Sequence, residues 1–93
     1  LSGCATLKLT EGGEKVRMLD PAEVSSCKQI GRTNASVTAK VVFDRPADAV
    51  AKELETVARN SAANMNGDTI VPLTVIEEGK QTFIVYKCIN PDG

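Results

Sequence analysis

Residues 46–68 read PADAVAKELETVARNSAANMNGD, and this stretch decides the fold. Apolar side chains recur in it at spacings of three and four residues, which predicts a helix over residues 46–66. Asp44 and Pro46 supply the start signals, and Gly67 supplies the stop. The mixed charges on the other side of the helix are typical of a solvated face. The helix therefore needs an apolar layer against its stripe of Ala47, Val50, Ala51, Leu54, Val57, Ala58, Ala62 and Met65.

Two runs after the helix predict a β-hairpin. Residues 69–77 and 80–89 are rich in Val, Ile, Thr, Phe and Tyr, and Gly79 between them suits the positive backbone angle of a hairpin turn. Pro72 has no N–H for a ladder, so the first run should be an edge strand or should begin its pairing after Pro72. The second run carries apolar residues on both faces, which predicts a central strand.

Three further strands are predicted before the helix. Residues 15–19 alternate charged and apolar side chains, and residues 27–33 alternate more weakly, with Gly31 suited to a bulge or a close approach. Residues 36–43 are rich in Val and Thr and should form a hairpin with the preceding run, through a turn at residues 34–36.

The composition argues against several classes of function. Ninety-three residues make one domain, and 42% hydrophobic with 25% charged residues is ordinary globular composition. Eleven basic and twelve acidic residues give a net charge of −1 with no basic cluster, so we expect no nucleic-acid partner. The chain has no histidine, the side chain most used for acid–base work near neutral pH.

The other polar residues form no recognisable catalytic set. The hydroxyl and carboxyl pairs lack a histidine base, fall at a hairpin tip or point in different directions on the helix. These pairs are Ser25 and Ser26, Glu77 and Glu78, and Glu53 and Glu55. We therefore expect no catalytic residues, no cofactor and no metal site, with a small envelope enzyme as the alternative.

The opening tetrapeptide Leu1-Ser2-Gly3-Cys4 is similar to the bacterial lipobox, in which the cysteine sulfur receives a diacylglyceryl group and cleavage of the signal peptide then exposes the cysteine amine. Cys4 is then the lipid attachment site. Residues 1–14 are predicted as a lipobox remnant and flexible tether, and residues 15–93 as a single domain. The alternative is a chance tetrapeptide.

Two cysteines remain once Cys4 is assigned to lipid. Cys27 and Cys88 are an even pair in a small exported domain, 61 residues apart, and they predict a disulfide. A thiol-redox protein has less support because neither cysteine belongs to a Cys-x-x-Cys motif. A cytosolic domain with two buried free thiols stays as an alternative.

Four segments resemble a small uncharacterised bacterial lipoprotein family, itself similar to the outer-membrane stress-sensor lipoprotein of the Rcs system. They are the lipobox, SCKQIG at 26–31, ANMNGDTIVPL at 63–73, and Tyr86-Lys87-Cys88. The resemblance implies an α+β domain in which one long helix packs on one face of a small, mostly antiparallel sheet. It also implies a disulfide between the first and last parts of the domain.

The resemblance further implies a place in the bacterial cell envelope, facing the periplasm. Ala5 after the cysteine is similar to the signal for outer-membrane sorting. The stress sensor has two disulfides and a long proline-rich tether, whereas this chain has cysteines for one disulfide, so its signalling role does not carry over. We expect a non-enzymatic interaction, structural or stress-sensing module, held at the membrane by lipid on Cys4 and meeting an envelope protein partner.

Overall fold

The computed structural model describes residues 8–37 and 47–89. Within these ranges the chain forms an α+β domain of one α-helix and four strands, with short 3-10 turns at Gly13–Lys15 and Pro21–Val24. The elements in chain order are β1 (Arg17–Met18), β2 (Lys28–Ser36), α1 (Ala47–Asn64), β3 (Thr69–Pro72) and β4 (Lys80–Lys87). No helix of the described ranges is long and apolar enough to cross a membrane.

The four strands form one mixed sheet in the order β1-β3-β4-β2. β4 is antiparallel to both of its neighbours, and β1 is parallel to β3, with Arg17 opposite Thr69. A parallel pair needs a long crossover between its strands, and here β2 and α1 supply that length. The predicted central position of the second hairpin strand is confirmed, since β4 lies between β3 and β2 and pairs with both.

The prediction for Pro72 is wrong. β3 is an internal strand, and Pro72 is its last residue, opposite Phe83 of β4. The missing N–H costs no ladder bond for two reasons. The next residue, Leu73, donates its N–H to Thr82 O at 2.8 Å, and β1 has already ended at Met18, opposite Ile70.

The predicted turn at residues 34–36 is also wrong. These residues continue β2, which pairs with β4 as far as Ser36 opposite Lys80. Ala35 is 1% exposed, and Asn34 Oδ1 accepts a hydrogen bond from Thr82 Oγ1 at 2.7 Å. The local turn preference of Asn and Ser is therefore outweighed by a partner strand 48 residues away. The rest of the predicted strand, residues 38–43, lies outside the described residues.

The predicted helix is confirmed over Ala47–Asn64, and the start signals at Asp44 and Pro46 lie outside the described residues. Its buried side chains belong to the predicted apolar stripe. They share one core cluster with strand residues, which lets the helix and the sheet exclude water together. The fully buried members of the cluster are Val16, Ala35, Val50, Leu54, Ala58, Ala62, Ile70, Phe83 and Val85.

The helix ends in a Schellman motif. Gly67 N–H donates to Ala62 O at 2.8 Å and Asn66 N–H to Ala63 O at 3.1 Å, so two terminal carbonyls are satisfied. The left-handed residue is Asn66, with φ 67°, rather than the predicted stop residue Gly67. Gly67 is needed for space instead, because a Cβ there would lie 2.3 Å from Val85 Cγ1.

The two other predictions for glycine are confirmed. Glu78 and Gly79 have φ of 52° and 73°, and the two backbone bonds between Glu77 and Lys80 close a two-residue hairpin turn. The β2–β4 register shifts between Gln29 and Gly31, which is a bulge. A Cβ on Gly31 would also lie 2.8 Å from Met65 Cε, so the bulge coincides with a close approach to the end of the helix.

Candidate functional site

The predicted disulfide joins the start of β2 to the end of β4. The Sγ atoms of Cys27 and Cys88 are bonded at 2.03 Å, with the Cα atoms 4.3 Å apart. Both cysteines are half-buried. β2 and β4 are already paired at Lys28 opposite Lys87, so the covalent bond seals one end of an existing ladder. Cys4 lies outside the described residues.

Asp68 fixes the backbone beside this disulfide. Its Oδ1 accepts from Cys88 N–H, and its Oδ2 accepts from Ile89 N–H, each at 2.8 Å. Thr69 Oγ1 donates to Oδ1 as well, at 2.9 Å. One carboxylate therefore joins the turn after the helix to the end of the last strand.

The pKa of Asp68 lies below the usual value of 3.8. Burial acts to raise it, but the backbone N–H groups of Cys88 and Ile89, the Thr69 hydroxyl and the Arg17 charge together lower it more. A carboxyl group whose pKa is lower in the folded state than in the unfolded chain stabilises the fold at pH values above its unfolded pKa. That stabilisation is lost as the pH falls through the folded pKa.

Replacing the Asp68 carboxylate tests whether its charge stabilises the folded state in a pH-dependent way. We expect Asp68→Asn to lower the free energy of unfolding by about 1–2 kcal/mol near neutral pH, since hydrogen bonds to a charged acceptor are lost. The deficit should shrink when the pH is taken well below 3.8, because the wild-type group is then protonated too. Urea unfolding at the two pH values measures this.

Asp48→Asn is the matched control for the Asp68 prediction, because Asp48 is exposed and its Oδ1 accepts from the N–H of the neighbouring Ala49. We expect a smaller change from it at either pH. A deficit for Asp68→Asn that is the same in acid as at neutral pH would contradict the role given to its charge.

The first described residues are bound to the helix through Asn60. Asn60 Oδ1 accepts from Thr10 N–H at 2.8 Å and from Thr10 Oγ1 at 3.2 Å, and Asn60 Nδ2 donates to Lys8 O at 3.0 Å. The side-chain amide thus accepts from the N–H of Thr10 and donates to the C=O of Lys8, as the backbone of a neighbouring strand would. We call residues 8–15 the N-terminal clasp.

The clasp also depends on close contact between Gly12-Gly13 and the helix. A Cβ on Gly13 would lie 2.2 Å from Asn60 Oδ1, and one on Gly12 would lie 3.0 Å from Ala63 Cβ. Arg59 Nη2 reaches Glu14 O at 3.4 Å. The part of the predicted tether that the structure describes is therefore docked on α1. The prediction of a solvated outer face is wrong at Arg59 and Asn60, which are half-buried.

A groove of about 360 Å³ lies near the beginning of α1. Met18, Pro72, Ile76 and Phe83 give it an apolar floor and wall. The helix supplies its polar rim. The other lining residues are Asp48, Ala51, Lys52, Glu55 and Gln81.

The residues weighed as catalytic candidates are scattered. Ser25 and Ser26 are exposed next to the first 3-10 turn after β1, and Glu77 and Glu78 are exposed at the hairpin tip. Glu55 pairs with Arg59 at 3.5 Å, one turn along the helix. Within residues 8–37 and 47–89, no three carboxylate or thiol groups are close enough together to hold a metal ion.

Two residues that organise this part of the molecule, Asp68 and Asn60, were not singled out in the sequence. Asp68 follows Gly67 and looks like an ordinary turn residue, and Asn60 looks like one more polar residue on the outer face of the helix. Their roles depend on partners at least 20 residues away, as in the Asp68 bond to Cys88. A single sequence carries no periodic signal for such partners.

Over residues 8–37 and 47–89, the fold and the cysteine pair define a small α+β domain with one helix, one mixed four-stranded sheet and one disulfide. The chain belongs to the family described as a domain of unknown function, DUF4156, which it matches over residues 7–88. The chain has no significant match to a curated protein or to a solved structure. The family match thus spans both cysteines of the disulfide.

Proposed function

We propose that this protein is a lipoprotein of the bacterial cell envelope, anchored by lipid on Cys4 and acting as a non-enzymatic interaction, structural or stress-sensing module. The observation that carries the proposal is the lipobox-like Leu1-Ser2-Gly3-Cys4, placed ahead of a disulfide-bonded domain. Disulfides persist in oxidising compartments such as the bacterial periplasm. A cysteine outside the bridge is then available for acylation.

The proposal includes the finer family likeness and the finer fold. The short motifs quoted above favour the lipoprotein family similar to the Rcs stress sensor, and Ala5 favours the outer membrane and its periplasmic face. For the fold, we propose that α1 lies along one face of the sheet. The shared burial of Leu54, Ala58, Ile70 and Phe83 in one cluster supports this arrangement.

The N-terminal clasp sets the distance between domain and membrane. Lys8 is held by Asn60, four residues after Cys4, and four extended residues span at most about 14 Å. The domain should therefore sit close to the lipid surface, with the second half of α1 nearest the anchor. One acyl chain binds a membrane weakly, whereas two or three hold it stably, as lipoprotein modification supplies.

Metabolic labelling tests the anchor. When the full precursor is expressed in bacteria with radioactive palmitate, we expect label on the wild-type protein and its recovery in the outer-membrane fraction. Cys4→Ala should abolish the label and release the protein from membranes, because the acylated sulfur is gone. Autoradiography of the immunoprecipitated protein and of separated membrane fractions gives both readouts.

The matched control for labelling is the double variant Cys27→Ala, Cys88→Ala, which removes the other two thiols and should keep its label. Label that survives Cys4→Ala, or a wild-type protein that takes up none, would contradict the proposed anchor.

A further inference from the structure

Four of the five large apolar side chains that are exposed in the described residues lie at the end of β1 and in the segment between β3 and the hairpin turn. Val75 is 79% exposed, Leu73 44%, Met18 43% and Ile76 39%, while Ile89 lies apart at the other end of β4. Met18 and Ile76 both line the groove at the beginning of α1, and Val75 is next to Ile76. We call Met18 and residues 73–76 the apolar tip.

The backbone that carries the apolar tip is held in place on both sides. Leu73 N–H and Thr74 N–H both donate to Thr82 O, and Thr74 Oγ1 accepts from Thr82 N–H at 3.0 Å. On the far side, the two bonds between Glu77 and Lys80 close the hairpin turn. The exposed side chains are thus presented on a fixed loop, which reduces the ordering cost of binding.

The charged side chains around the apolar tip carry a net negative charge. Asp48 and Glu55 stand on the helical rim of the groove, and Glu77 and Glu78 form the hairpin tip. Among the described residues, Lys52 and Lys80 are the two basic residues lining the same pockets. Glu55 is already paired with Arg59, which leaves three carboxylates against two ammonium groups. This balance favours a partner that brings positive charge beside its apolar contact.

The tip lies away from the clasp. Asp48 on the groove rim and Asn60 in the clasp are twelve residues apart on α1, about 18 Å along the helix axis at 1.5 Å per residue. This orientation rests on the proposed function: if Cys4 carries the lipid, the clasp end is near the membrane and the tip is directed away from it. A lipid surface is then a poor candidate for covering the tip.

We propose that the apolar tip and its groove bind a short apolar segment of another protein that is flanked by basic residues. The apolar part of the segment covers Val75 and Ile76 and enters the groove beside Met18. Its basic residues lie near Glu77, Glu78 and Asp48. Exposed apolar patches bounded by polar residues commonly mark protein interaction sites.

The test uses the full chain with Cys4→Ala, so that lipid plays no part, and a fluorescein-labelled nonapeptide. The peptide has a central Leu-Val-Ile-Val-Leu run with two lysines at each end, and its twin has glutamates in place of the lysines. Fluorescence anisotropy should show saturable binding of the lysine peptide and at least about tenfold weaker binding of the glutamate peptide. The double variant Val75→Ser, Ile76→Ser should weaken lysine-peptide binding about tenfold or more, whereas the matched change Ile89→Ser should leave it unchanged.

Four results would overturn this proposal. The first two are equal binding of the two peptides and binding that survives the Val75 and Ile76 changes. The third is self-association through the apolar tip in sedimentation equilibrium. The fourth is flotation with vesicles of phosphatidylethanolamine and phosphatidylglycerol that depends on Val75, which would replace the protein partner with a membrane. Because the peptide experiment contains no lipid anchor, its outcome is independent of palmitate labelling at Cys4, and either proposal can fail alone.

Discussion

Removing the disulfide with Cys27→Ala and Cys88→Ala together is expected to lower the free energy of unfolding by about 4 kcal/mol. The bridge closes a loop with a sequence separation of 61 residues, and the entropy that it removes from the unfolded chain sets this magnitude. Small domains have a net stability of about 5–15 kcal/mol, so the variant should be close to unfolding at body temperature. Urea unfolding followed by far-ultraviolet circular dichroism measures the change.

Dithiothreitol supplies the control for the disulfide variant. Reduced wild-type protein should unfold at nearly the same urea concentration as the double variant, and the variant should not respond to the reductant. A loss of less than about 1 kcal/mol in both cases would show that the β2–β4 ladder closes this end of the sheet without the bond.

Phe83→Ala is the second change with a large expected effect, about 3–5 kcal/mol of lost stability. Phe83 is 1% exposed and is the largest of the fully buried side chains in the described residues. Phe83 lies on the internal strand β4 and shares the core cluster with Leu54 of the helix and Ile70 of β3. Removing its ring leaves a cavity among these side chains, which relax only partly to fill it. Thermal and urea unfolding both measure the loss.

Ile84→Ala is the matched control for Phe83→Ala, because Ile84 is the next residue of the same strand and is only half-buried. We expect it to cost less than half as much. If Ile84→Ala were the more damaging change, the main core would have to lie on the opposite side of β4.

The parts of the fold that sequence could predict are those encoded locally. The apolar stripe of α1 repeats at helical spacing, Gly79 meets the demand of a two-residue turn, and Gly31 sits at a bulge. The apolar residues on both faces of β4 likewise indicated its central position. Each of these features can be recognised within a window of about ten residues, where side-chain period and backbone preference act directly.

The rest of the fold depends on distant partners. Residues 34–36 look like a turn until β4 supplies a strand for them, and Pro72 looks like an edge residue until β1 is seen to end before it. The parallel pairing of β1 with β3 has no local signature. Strand order is a property of the assembled sheet, and short strands permit several orders of similar energy.

The residues of the candidate site likewise fall into those that the sequence predicts and those that only the fold reveals. The disulfide was predictable because, under the expectation of export, an even pair of cysteines in a small domain favours a bridge. Asp68 and Asn60 were missed, since each acts through backbone groups that only the fold brings to it. The sequence predicts a flexible tether within residues 1–14, but the missing side chains of Gly12 and Gly13 let the clasp approach Asn60 and Ala63.

The N-terminal clasp, β1 and Cys27 all take their partners from residues 60–88, namely Asn60, β3 and Cys88. During synthesis, the clasp, β1 and Cys27 therefore have no partners until the later residues have been made. A chain synthesised only as far as residue 50 contains none of these partners. The described residues can therefore complete this fold only after Cys88 has been synthesised, and the unpartnered N-terminal segment needs protection until then.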